Sequence, residues 1–311
     1  MDIYLSTRYM NTISFHSCIS LYVGYFILFC RYRHIDTAQS YENEQCIGQA
    51  LRDVQYNNMC KRSELFLTTK LANYNMEPKA VLSSLEESLE KLKTKYVDMF
   101  LMHNPWPMKG HQNGGASHVE QDQYDLDVDF LDTWRAMEQL VKNGLTHSIG
   151  LSNCTEKQIN SVLSIAKIVP QNVQLECHVY FQQSRLRSFL DSKDISCSAY
   201  SPLGAKDRPV RHKTPENENA VLLEDPVVRK VADKHGVSPA VVLLRFLLQL
   251  NMIVIPKTST LSRLEENYMA QHFQLDVSDC EQLRALDRGL RFFTFPVYHS
   301  HPNFTKSKEL F

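Results

Sequence analysis

The sequence predicts an α/β protein whose architecture is a (β/α)₈ barrel, complete from its second strand onward and with strand one incomplete or altered. Three observations predict it. Runs rich in aliphatic and aromatic residues alternate with amphipathic stretches of helical spacing, the pattern of parallel strands covered by helices. The 311 residues suit one such domain, which needs roughly 250, and no Pro/Gly/Ser-rich linker marks a boundary. Nearly every run also finishes on a side chain capable of chemistry, and barrel strands deliver functional groups at their C-terminal ends.

Taken in order, residues 1–30 form an atypical apolar segment, followed by a barrel over residues 31–311. From Ile13 to Cys30 there is no Asp, Glu, Lys or Arg. Arg8 could open a signal or anchor segment, but His16, Ser17, Ser20 and Gly24 interrupt a run that must hold about 20 apolar residues to span a bilayer. A strand of the barrel, a non-native start and, as the minority reading, a membrane tether through residues 13–30 all stay open.

Strand-like runs then follow at Tyr32 to Asp36, Leu65 to Lys70, Val97 to His103, Ser148 to Ser152, Val173 to His178, Ile195 to Ser201 and Met252 to Lys257. An eighth strand could precede Tyr32. Helical patterns fill Pro78 to Lys93, Phe130 to Lys142 and Thr155 to Ala166. Two polar stretches, Met108 to Asp129 and Ala205 to Leu223, exceed ordinary loop length and read as pocket or cofactor loops, or as mobile surface. The tail from Phe292 to Phe304 is aromatic and punctuated by Pro, consistent with a flap over a pocket.

Composition narrows the function classes. The formal net charge of -1 provides no basic face for nucleic acid. Eight scattered cysteines lack the close paired spacing of a zinc site and read as free thiols in a reducing cytosol. Expected partners are therefore small molecules, with no metal, no nucleic acid, a cytoplasmic location and a monomeric chain. The nucleophile-elbow pattern and the G-x-G-x-x-G fingerprint are both absent.

The strand ends define the chemistry. A Tyr phenol has an ordinary pKa near 10, and a Lys ammonium beside it favours the phenolate. An Asp paired with that Lys holds it in place, and a neutral His orients a carbonyl oxygen. Tyr41, Lys70, Asp36 and His103 thus make an acid able to protonate a carbonyl oxygen as hydride arrives. Near the end of the chain, Ile253 to Ser259 precedes a helix-like run from about Leu261, whose N-terminus suits a phosphate. Lys257 and Arg263 add charge suited to a ribose phosphate, favouring NADP(H) over NAD(H).

These residues stand in longer motifs: His34-Ile35-Asp36-Thr37-Ala38 with Tyr41, Thr69-Lys70-Leu71, Leu101-Met102-His103, Ile149-Gly150-Leu151-Ser152-Asn153, Gln174-Leu175-Glu176-Cys177-His178, Tyr200-Ser201-Pro202-Leu203-Gly204, and Ile255-Pro256-Lys257 through Arg263 to Glu266-Asn267. In kind and order they resemble the aldo-keto reductase superfamily over nearly everything from Arg31 onward. The resemblance implies NADPH-dependent reduction of aldehydes or ketones to alcohols. It makes Tyr41 the general acid, tuned by Lys70 and Asp36, and has His103 orient the substrate, with Trp106 near the pocket. Ser152, Asn153 and Gln174 would hold the carboxamide, Tyr200 would stack on the nicotinamide, and Ser201 and Leu203 would follow along the cofactor. Lys257, Thr258, Arg263, Glu266 and Asn267 would take its adenosine phosphate end. Three features depart from the family pattern: no glycine-rich first strand is legible in residues 1–30, Asn104 stands where Trp is common, and Ala72 stands where some members place an aromatic. Fewer aromatics imply a roomier pocket for a bulky ketone. The alternative is a catalytically weak NADP(H)-binding barrel acting as a redox sensor or interaction subunit.

Overall fold

The computed structural model describes residues 12–14, 32–109, 124–258 and 260–304. Eight strands form one sheet: β1 (Thr12–Ser14), β2 (His34–Asp36), β3 (Phe66–Leu71), β4 (Val97–Met102), β5 (Thr146–Ser152), β6 (Asn172–Glu176), β7 (Ser196–Tyr200) and β8 (Ile253–Ile255). Each pairs in parallel with the next, in the order β1 to β8. β1 lies beside β8, with no ladder between them among the described residues, so the barrel's seam falls there. The eighth strand anticipated before Tyr32 is therefore Thr12–Ser14, in register with His34 to Asp36. The rest of the anticipated apolar or membrane segment lies outside the described residues, as does the interior of the Met108 to Asp129 loop.

Nine helices occur among the described residues: α1 (Glu44–Tyr56), α2 (Pro78–Lys91), α3 (Phe130–Lys142), α4 (Glu156–Ile165), α5 (Ser184–Asp191), α6 (Pro226–His235), α7 (Pro239–Gln249), α8 (Leu261–Tyr268) and α9 (Val277–Arg284). None is long and apolar enough to cross a membrane. Their starts are chemically specified. Thr155 and Gln158 cap α4 reciprocally, and Asp225 accepts from the Val227 and Val228 amides ahead of α6.

The core occupies the layer between sheet and helices, where Leu67, Phe100, Leu151 and Val173 of the strands pack with Leu51, Leu85, Trp134, Ile159 and Phe246 of the helices. Two glycines are required by close approach. A Cβ at Gly48 would lie 2.0 Å from the Lys91 carbonyl oxygen, where α1 meets α2, and one at Gly150 would lie 2.4 Å from the Asn172 carbonyl oxygen between β5 and β6. Cys60, Cys154, Cys177, Cys197 and Cys280 are free and buried. Cys46 departs from the free-thiol expectation: it is disulfide-bonded.

The C-terminal residues return to the mouth of the barrel. The buried Glu176 carboxylate at the end of β6 accepts from the Phe292 amide at 2.6 Å and the Phe293 amide at 3.1 Å, from His178 at 3.1 Å, and lies 3.4 Å from Arg291. Asn217, fully buried in the long loop after β7, donates to the Arg291 carbonyl at 2.9 Å and so ties loop to tail. Tyr124 donates to the Val297 carbonyl. The tail is thus fastened by buried polar contacts at several points.

Candidate active site

The ends of β2 and β3 place Asp36 and Lys70 side by side inside the barrel. Both are almost fully buried, and Lys70 Nζ lies 2.5 Å from Asp36 Oδ1. A buried ammonium needs its hydrogens satisfied. Lys70 donates a second to the Thr37 carbonyl at 2.8 Å, and its Nζ sits over the Tyr41 ring, 5.0 Å from the centroid. Burial disfavours the Lys70 charge, yet Asp36 and Tyr41 together hold its pKa above the ordinary value, so the ammonium persists.

Tyr41 reaches the same point from the turn of Gln39–Tyr41, just before α1. The expected downward pull of Lys70 on the phenol is present but is outweighed. Desolvation is the largest influence, Asp36 adds to it, and the Tyr41 pKa is raised. The phenol consequently keeps its proton at neutral pH. His103, just past β4, meets the Tyr41 ring edge to face with centroids 5.6 Å apart. Its Nδ1 lies 3.2 Å from the Ser40 hydroxyl, a partner that sequence reasoning missed. A half-buried serine beside the tyrosine carries no pattern by itself; only its adjacency to Tyr41 marked it.

A second group adjoins the first. Asn153, after β5, adopts a left-handed backbone with φ 55°, a region Asn tolerates better than most residues. Its Nδ2 donates to the His103 carbonyl at 3.1 Å and Asn104 Oδ1 at 2.8 Å, with Ser152 Oγ 3.2 Å away. Tyr200 donates from its hydroxyl to Asn153 Oδ1 at 2.8 Å. Gln174 faces the Asp36 carboxylate: its Nε2 donates to Asp36 Oδ2 at 2.8 Å. Asn104 and Asn73, which had no assigned role, are buried members of this network.

The remaining expected residues are arranged differently. Trp106 is fully buried beneath Phe295, Tyr298 and Phe304, with ring centroids 5.2, 4.8 and 4.9 Å away, so tail aromatics stand between it and solvent. Ser201, with φ 52°, and Leu203 are half-buried after β7. Beyond β8, Thr258 and Asn267 are buried and Glu266 is half-buried, whereas Lys257 and Arg263 are exposed. Neither of these two cations is in an ion pair among the described residues. Arg263 lies in the first turn of α8, whose N-cap, Thr260, makes no side-chain cap. No cluster of His, Cys, Asp or Glu among the described residues is arranged to hold a metal ion.

Comparison with known proteins matches the chain to a family. Residues 11–288, from before β1 to past α9, match the Aldo/keto reductase family. Aldo-keto reductase family 1 member A1 of Bos taurus is 40% identical over 263 residues, spanning 84% of this chain and 79% of that protein. Family 1 member C3 of Homo sapiens is 38% identical over 281 residues, with 89% of this chain and 86% of that protein covered. The Gallus gallus family 1 member A1 is 37% identical over 286 residues, covering 88% and 85%. With its parallel barrel, and with the family match covering most of its length, this chain belongs to the aldo/keto reductase family of oxidoreductases.

Proposed function

We propose that the protein reduces aldehydes or ketones to alcohols with NADPH, at the site built on Asp36, Tyr41, Lys70 and His103. The observation that carries the reading is the buried Lys70 ammonium, 2.5 Å from Asp36 and 5.0 Å from the ring centroid of a Tyr41 that stands against His103. The bound nicotinamide supplies the hydride. Tyr41, protonated at neutral pH, donates its proton to the substrate oxygen. Lys70 stabilises the phenolate left behind, because its charge favours the ionised phenol. Asp36 and the Thr37 carbonyl keep that ammonium from turning away. His103 directs the carbonyl oxygen toward Tyr41, positioning that adds to the acid's effect.

The residues around this centre fit a nicotinamide nucleotide. Ser152, Asn153 and Gln174 offer amide and hydroxyl groups to its carboxamide, and Tyr200 offers an aromatic face. Ser201 and Leu203 continue along the cofactor. Exposed Lys257 and Arg263, with Thr258, Glu266 and Asn267, suit the adenosine phosphate, and two uncommitted cations favour the 2′-phosphate of NADPH.

The test is NADPH oxidation by the full-length protein with an aromatic aldehyde, alongside NADPH binding followed by fluorescence. Turnover that disappears in Tyr41→Phe while binding survives supports the proposal. Binding without turnover in the unaltered protein would instead identify a nucleotide-sensing barrel.

A further inference from the structure

We propose that Asn104 is a positioning residue that fixes the amide orientation of Asn153, so that the site accepts a hydrogen bond from the cofactor's carboxamide and rejects a carboxylate in its place. The inference rests on the reading above, in which Asn153 meets the nicotinamide. A primary amide has two N–H donors and one carbonyl oxygen with two lone pairs. Both Asn153 hydrogens are engaged, by Asn104 Oδ1 at 2.8 Å and the His103 carbonyl at 3.1 Å. Its Oδ1 accepts from Tyr200 at 2.8 Å, which leaves one lone pair.

The direction of this chain of amides is set at its ends. Asn104 Nδ2 donates to Asn73 Oδ1 at 3.0 Å, and Asn73 Nδ2 donates to the Trp106 backbone carbonyl at 3.0 Å. A backbone carbonyl only accepts, so Asn73 cannot turn over. Asn73 then fixes Asn104, and Asn104 with the His103 carbonyl fixes Asn153. Turning Asn153 over would set its oxygen against two other oxygens. All three asparagines are at most 8% exposed, and buried amides in such contact cost more when left unsatisfied than a paired one contributes. Asn153 therefore offers an acceptor, which matches the N–H of a carboxamide and opposes a carboxylate.

Three ligands test this on the full-length protein: NADP⁺, its nicotinic acid analogue, which carries the carboxylate, and 2′,5′-ADP, which lacks the nicotinamide. Asn104→Ala is expected to weaken NADP⁺ by about 3- to 10-fold, the worth of one hydrogen bond. It should also narrow the preference for NADP⁺ over the acid analogue and leave 2′,5′-ADP affinity unchanged. Wild-type affinity and preference in Asn104→Ala, with both altered in Asn153→Ala, would overturn the role of Asn104 alone. Asn153→Ala without effect would remove the assignment of Asn153 to the carboxamide, and the inference with it. Should Asn104→Ala lose 2′,5′-ADP binding through misfolding, Asn73→Ala releases only the far end of the chain. About a 3-fold loss confined to NADP⁺ supports the inference there, and no change overturns it.

Discussion

The two ends of the site are built on opposite principles. At the β2–β3 end, Asp36 and Lys70 are desolvated, paired at 2.5 Å and hydrogen-bonded to neighbouring groups of the protein. Beyond β8, Lys257 and Arg263 stand in solvent with no ion pair among the described residues. Preorganised charge suits the stabilisation of a reaction's changing charge, because nothing must reorient as the proton moves. Solvated charge suits the capture and release of an anion, at little cost to the fold. The difference teaches that the proposed reaction centre is part of the folded core, whereas the proposed phosphate site is an attachment to its surface. Substitutions at the two ends should therefore fail in different ways.

The largest expected effect is on turnover. Removing the Tyr41 hydroxyl in Tyr41→Phe is expected to lower the rate of carbonyl reduction by about 10²- to 10⁴-fold, the range for a general acid. The melt should remain close to wild type and NADP⁺ should still bind, which single-turnover kinetics and fluorescence titration will show. A residual rate within a few-fold of wild type would mean that the proton comes from another group.

Next is a stability effect that only the buried end should show. Lys70→Met leaves the Asp36 carboxylate buried without its partner, which is expected to cost about 3–5 kcal/mol. Asp36→Asn together with Lys70→Met removes both charges and should recover much of that loss without recovering activity, as denaturant melts and assays will reveal. The linkage has a sign. Lys70 holds its proton more tightly folded than unfolded, so its contribution is complete below the ordinary value of 10.5 and is lost as pH rises through the raised folded value. Wild-type stability should fall in that alkaline range more steeply than that of the double variant.

The exposed end should show the reverse. Lys257→Ala and Arg263→Ala are each expected to alter stability by no more than about 0.5 kcal/mol, as surface changes do. Each should weaken NADPH by about 10-fold while leaving NADH affinity nearly unaltered, and added salt should shrink the wild-type preference. Equal losses for NADPH and NADH would show that neither side chain meets the 2′-phosphate.

The sequence was legible where residue type and strand period coincide. Buried parallel strands leave apolar runs, and Asp36, Lys70, His103, Asn153 and Tyr200 stand out because they end or follow such runs. β1 was hidden for the opposite reason: Thr12–Ser14 is short and mostly polar, beside an uncharged apolar run interrupted by His16, Ser17, Ser20 and Gly24. Asn73 and Asn104 were not legible as parts of the site, since isolated amides between elements form no pattern until the fold makes them neighbours. The net direction of the Tyr41 shift was missed because charge partners can be read from residue types, whereas depth of burial cannot.

The smallest expected effect sharpens the contrast within the reaction centre itself. Ser40 is half-buried, and its hydroxyl lies 3.2 Å from His103 Nδ1. A neutral imidazole carries its proton on one nitrogen, and the hydrogen bond at the other selects which. A Ser40 hydroxyl donating to Nδ1 stabilises the tautomer with hydrogen on Nε2, the form able to donate to a substrate carbonyl. Ser40→Ala removes one neutral hydrogen bond without exchanging any charged group, so the loss in kcat/KM is expected to be about 5-fold. Ser40→Thr restores the hydroxyl and should recover most of that rate. An alanine variant as active as wild type, or a threonine variant no better than alanine, would show that His103 is held in its working form without Ser40.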